Sequence, residues 1–179
     1  MHIDWIAGAM LLLSAERLFY YWAWRHPDSF RDFCSSPAVA RLGEPSTVVE
    51  TFFYGFKLVQ LGVFGAWCWI YGEGSPIPER VMAFPVAFGL VIAGIGQILN
   101  FSVFLRLGRI GVFYGNRFGY DLPHVEGFPF SLFKHPQYIG AVLSIWGFFM
   151  ITRFPHDDWI VLPLIETLYY TLGAYFESE

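Results

Sequence analysis

Val81-Met-Ala-Phe-Pro-Val-Ala-Phe-Gly-Leu-Val-Ile-Ala-Gly-Ile-Gly-Gln-Ile-Leu-Asn-Phe-Ser-Val-Phe-Leu105 runs for 25 residues without one charge. A membrane-spanning helix needs about 20 mostly apolar residues, so this run predicts a helix over 81–105. Residues 58–72 are also free of charge and extend back through residues 52–56, which predicts a second helix over 48–71 with Lys57 inside it. Residues 5–24 are apolar except for Glu16 and Arg17. Two shorter apolar runs, 137–152 and 159–176, flank Arg153-Phe-Pro-His-Asp-Asp158. At 1.5 Å per residue, 17 residues reach about 26 Å, just enough for a hydrocarbon core. The expected fold is therefore all-α and integral to a membrane, in one domain over 1–179. It has about five transmembrane helices, the last two forming a hairpin.

Composition points the same way. Of 179 residues, 55% are hydrophobic and 21% aromatic. Replacing Tyr by Gly in that count gives roughly 60% apolar, against about 45–50% for a soluble domain. A soluble chain of this length buries only about 70% of its unfolded surface, so twenty Phe and seven Trp would leave broad apolar patches in water. Lipid removes that conflict. The net charge of −4 argues against a nucleic-acid partner. Cys34 and Cys68 have no metal-ligand spacing and read as small buried hydrophobes. The opening Met-His-Ile-Asp-Trp lacks a basic n-region, so the first apolar stretch reads as a retained helix.

Charge placement orients the helices. Residues 25–44 carry Arg25, Arg31 and Arg41, and residues 106–134 carry Arg106, Arg109, Arg117 and Lys134. The intervening 72–80 has only Arg80. The positive-inside rule puts both basic segments, and the chain's end, on the cytoplasmic face. Glu16 and Arg17, adjacent in sequence, point about 100° apart on a helix and cannot simply neutralise each other. Lys57 is a candidate partner for Glu16. Ionisable groups at such depth are functional suspects by default.

Residues 106–140 hold Arg-Leu-Gly-Arg-Ile-Gly-Val-Phe-Tyr-Gly-Asn-Arg-Phe-Gly-Tyr-Asp-Leu-Pro, then Gly-Phe-Pro-Phe and His135-Pro-Gln-Tyr-Ile-Gly140. Connections this long are usually functional. Pro136 suits a first helical turn, whose free N–H groups attract anions, and Tyr138 stands one turn in. Gly94 and Gly96 admit either a ligand or a close helix neighbour.

These elements resemble the membrane phospholipid N-methyltransferases, which convert phosphatidylethanolamine to phosphatidylcholine. Gly94-Ile95-Gly96 looks like that family's Gly-x-Gly motif. Leu107-Gly108, Gly115-Asn-Arg-Phe-Gly119 and Phe128-Pro-Phe130 follow in order. His135-Pro-Gln-Tyr138-Ile-Gly140 looks like its x-Pro-x-Tyr-x-Gly signature, a form also similar to isoprenylcysteine carboxyl methyltransferases. The resemblance covers about residues 88–177, within a cofactor and substrate region over 88–179. Where the family ends on two adjacent acidic residues, this chain has Glu177-Ser178.

The resemblance implies an S-adenosylmethionine-dependent methyltransferase of phospholipid amines. Glu177, His135 and Tyr138 are then the catalytic candidates, and Gly94, Ile95, Gly96, His135, Pro136, Tyr138, Gly140, Glu177 and Ser178 would hold the cofactor. Arg117, Arg109 and Lys134 are candidates for the lipid phosphate, and His124, Glu126 and Asp121 for accepting the amine proton. It also implies an endoplasmic reticulum membrane, or an inner membrane in a bacterium, with the site facing the cytosol. Two alternatives stay open: another lipophilic acceptor such as prenylcysteine, and a non-catalytic subunit of a membrane complex.

Overall fold

The computed structural model describes residues 3–72, 83–122 and 125–178. Arg80, the expected helix start at Val81, His124 and Glu179 lie outside the described residues. Among the described residues the regular structure is entirely helical: α1 (Ile3–Arg25), α2 (Pro27–Cys34), α3 (Pro45–Tyr71), α4 (Ala83–Val112), α5 (Pro136–Thr152) and α6 (Val161–Ser178). Pro27, Pro45 and Pro136 each open a helix, where the missing N–H is no loss.

Several boundaries differ from expectation, beginning with α3, which starts three residues early at Pro45. The helix expected to end at Leu105 continues to Val112, broken at Gly108, whose φ of 64° interrupts the helical path. Arg106 and Arg109 do not end it because both find partners on neighbouring segments: Arg106 Nε donates to the Phe128 carbonyl at 3.1 Å and Arg109 pairs with Glu50 of α3. Residues 27–34, read only as part of a basic connection, form α2, whose Phe30 is fully buried. The last helix starts two residues later than expected and runs to Ser178, which makes Glu177 and Ser178 helical.

The tightest packing joins α4 to α5. A Cβ on Gly96 would lie 2.5 Å from the Gly140 carbonyl oxygen, and one on Gly147 would lie 2.5 Å from that of Gly89. Two glycine pairs, seven residues apart on each helix, thus bring antiparallel backbones into direct contact, as membrane helices do with small residues. Two apolar cores flank this pair. One gathers Leu13, Phe64, Trp67, Ile145, Phe149 and Leu162, the other Ala23, Phe30, Val48, Val103 and Phe113. Cys34 and Cys68 are buried free thiols.

The turn from α5 to α6 is held by charge. Arg153, 1% exposed, donates to both carboxylate oxygens of Asp158 and to the Tyr71 carbonyl, and Trp67 Nε1 donates to Asp158 at 2.9 Å. Asp158→Ala strands a buried guanidinium, and we expect it to cost about 3–5 kcal/mol of stability, read as a large fall in thermal unfolding temperature.

The outward surface is apolar. Leu58, Phe84 and Leu105 are each more than 70% exposed. Within Ala83–Phe118 lies the one helix among the described residues long and apolar enough to cross a membrane, and only 22% of its apolar window is buried. A soluble core helix would show the reverse.

Candidate functional site

A cavity of about 650 Å³ opens between α1, α3, α4, α5 and α6, toward one end of the bundle. Its size suits an organic ligand, for which pockets of about 300–1,000 Å³ are usual. The second half of α1, the first half of α3, the last turns of α4, the start of α5 and the end of α6 all reach it. That convergence follows from alternating helix directions.

Glu177, in the last turn of α6, accepts hydrogen bonds from the hydroxyls of Tyr114, at 2.5 Å, and Tyr138. Tyr114 follows α4 in a left-handed conformation (φ 61°), which turns the chain back toward the cavity. Tyr138 stands in the first turn of α5, fixed by the Pro136 start. Two phenols therefore orient one carboxylate from separate elements, and all three groups line the cavity.

His135 stacks on Tyr138, with ring centroids 5.9 Å apart and planes 12° apart. Its Nε2 lies 2.8 Å from Ser178 Oγ, which itself lies 2.7 Å from the Ala174 carbonyl. The carbonyl can only accept, so the single hydroxyl proton goes there and His135 Nε2–H donates to Ser178. Nδ1 is left as the acceptor. Partial burial, then the nearby Lys134 charge, hold the imidazole below its ordinary pKa of 6.5. It is neutral at pH 7. Because the unfolded chain takes up this proton more readily, His135 contributes less stability as pH falls from 6.5 through its lowered value. We expect imidazole nitrogen NMR to show a neutral Nε2–H form at pH 6.5, and Lys134→Met to raise its pKa.

The expected site residues divide. His135, Pro136, Tyr138, Glu177 and Lys134 meet at the cavity, and Ser178 joins through His135. Gly96 and Gly140 are spent against each other in the α4–α5 contact, while Gly94 and Ile95 are exposed and do not line the cavity. Arg117 donates to the Trp24 carbonyl from Nε and Nη2, with its guanidinium 4.5 Å from that indole's ring centroid. It caps the C-terminal end of α1. Arg109 is held by Glu50, and Asp121 lines a second recess beside it rather than the main cavity.

Local pattern did not single out Tyr114, nor Asn100 and Gln97, which face the cavity from α4. Glu16, Arg17 and Lys57 were suspect only for their depth. Lys57 Nζ lies 3.0 Å from Glu16 and also donates to Gln60, at 3.0 Å, and Tyr170, at 3.1 Å.

The family model described as "Phospholipid methyltransferase" matches residues 84–179. A phosphatidyl-N-methylethanolamine N-methyltransferase of Arabidopsis thaliana is 33% identical over 128 residues, 71% of this chain and 68% of that protein. One of Schizosaccharomyces pombe is 41% identical over 84 residues (46% and 42%), and a human phosphatidylethanolamine N-methyltransferase is 30% identical over 97 residues (52% and 48%). No solved structure gives a significant match.

Proposed function

The chain belongs to the phospholipid methyltransferase family, and from that membership we propose that it is an enzyme that methylates the amine headgroup of phosphatidylethanolamine or its partly methylated forms, with S-adenosylmethionine as donor. The observation that carries the donor assignment is the Tyr114–Glu177–Tyr138 constellation on an organic-sized cavity, with neutral His135 beside it. When bound, S-adenosylmethionine supplies an electrophilic methyl group on a sulfonium. Its polar groups suit the residues present: the Glu177 carboxylate can accept from a ribose hydroxyl or an ammonium, and the α5 N-terminus can receive an anion.

Methyl transfer asks mainly for alignment, and positioning can supply about 7–11 kcal/mol. Walls from five helices provide it here. The accepting amine must be neutral, which costs about 4–5 kcal/mol at pH 7 for an amine of pKa near 10.4. His135 Nδ1, unprotonated in the tautomer set by Ser178, is the basic atom at the cavity best suited to take that proton. Tyr138 keeps the ring in place by stacking.

We further propose that α1, α3, α4, α5 and α6 all span the bilayer, with α5 and α6 as a hairpin in one membrane domain. α5 and α6 cover about 26 and 27 Å at the helical rise, close to the roughly 30 Å core. The basic residues from Arg25 to Arg41 and from Arg106 to Lys134 cluster toward the end of the bundle where Glu177 sits, so the site opens to the cytosolic headgroup layer.

The direct test follows transfer of labelled methyl groups by the protein in nanodiscs containing phosphatidylethanolamine, phosphatidylcholine alone, or a prenylcysteine acceptor. Label in phosphatidylethanolamine products is the expected result. Label confined to prenylcysteine, or no transfer by a folded protein, overturns it.

A further inference from the structure

Within the bundle, Arg17 is a cation with unused hydrogen-bonding capacity at the cavity wall. Lys57 and Gln60 beside it are paired, whereas the Tyr20 hydroxyl and Glu166 Oε2 are also buried without a partner. Lys57 spends its three N–H groups on Glu16, Gln60 and Tyr170, and Gln60 Nε2 donates to Glu166 at 2.5 Å. Arg17 Nη2 lies 3.3 Å from Glu16, yet Nε and Nη2 are both buried without a hydrogen-bond partner. The side chain is 10% exposed. Tyr170 occupies one face of the guanidinium, 3.7 Å from its carbon to the ring centroid. Asn100 Oδ1, likewise without a partner, lies instead against Gly140 in the α4–α5 contact.

A guanidinium held by its face and left with unpaired N–H groups is built to receive an oxyanion. Glu16 offsets the charge, but N–H groups left unpaired at this depth are costly, and a bound oxyanion removes that cost. Resting on the reading of the site as one for a methyl donor and a phospholipid, we propose that Arg17 binds an oxyanion there: the carboxylate of the donor or the phosphodiester of the acceptor. Arg17 lies eight residues before Arg25, the end of α1, or about 12 Å along the axis. That depth favours the donor carboxylate over a phosphate at headgroup level. Arg17 also falls outside the family-matched residues 84–179, so the first helix adds to a site whose Tyr114, Tyr138 and Glu177 lie in that later region.

The test uses the whole protein in phospholipid nanodiscs, with Arg17→Gln and Arg17→Lys. Calorimetry measures S-adenosylhomocysteine against 5′-methylthioadenosine, which lacks the amino-acid end. Arg17→Gln is expected to weaken S-adenosylhomocysteine by about 30-fold or more and leave methylthioadenosine unchanged, with Arg17→Lys intermediate. If both nucleosides bind as before but KM for phosphatidylethanolamine rises about tenfold at steady kcat, the oxyanion is the lipid phosphate. Folded variants with wild-type binding and wild-type KM overturn the assignment. Should Arg17→Gln fail to fold, Arg17→Lys reads the same difference, because it keeps the charge and loses the fork. A wild-type protein that binds neither nucleoside overturns the donor reading beneath it.

Discussion

Glu177→Ala is expected to lower kcat/KM by about 100-fold or more while the protein stays folded, because two charge-assisted hydrogen bonds of roughly 1.5–3 kcal/mol each meet at that carboxylate. The residue stands in the final turn of α6, so its loss removes little packing. It does leave the Tyr114 and Tyr138 hydroxyls without their acceptor. Glu177→Gln separates the two effects: both phenols donate to Oε1, so the amide oxygen can still receive them, but no negative charge faces the ligand. We expect Glu177→Gln to unfold at the wild-type temperature and to bind S-adenosylmethionine weakly by calorimetry. Wild-type turnover by either variant would remove Glu177 from the machinery.

Gly147→Ala is expected to destabilise the protein by about 3 kcal/mol or more, or about 6–12 °C in unfolding temperature for a chain of this size. The added Cβ would meet the Gly89 carbonyl oxygen at 2.5 Å and Ala93 Cβ at 2.7 Å, and main-chain atoms cannot swing aside. Gly94→Ala is the matched control on α4. Nothing lies within 4 Å of its Cβ position, so unfolding temperature and donor affinity should both stay at wild-type values. The pair asks whether the Gly94-Ile-Gly96 motif serves helix packing, through Gly96 against Gly140, or a ligand. A Gly94→Ala protein that folds normally but loses donor binding would return the motif to the site.

Much of this protein is legible along the chain because helices report themselves locally. Twenty-five uncharged residues from Val81, Pro136 at a helix start and basic segments at residues 25–44 and 106–134 need no tertiary information to be read. His135, Tyr138 and Glu177 were nameable as a set only through resemblance, since the carboxylate stands 39 residues from the tyrosine it receives. Other features depend on partners that no local pattern encodes. Arg117 looks like a headgroup ligand until Trp24, 93 residues earlier, presents a carbonyl. Gly96 looks like a ligand cradle until Gly140 fills the space. Tyr114 joins Glu177 across 63 residues only because the chain reverses after α4. The unused N–H groups of Arg17 are a remainder, visible once Lys57 has satisfied Glu16. The length of each uncharged apolar run sets which segments become helices, whereas side-chain pairing depends on how those helices pack, and that geometry exists only in the folded bundle.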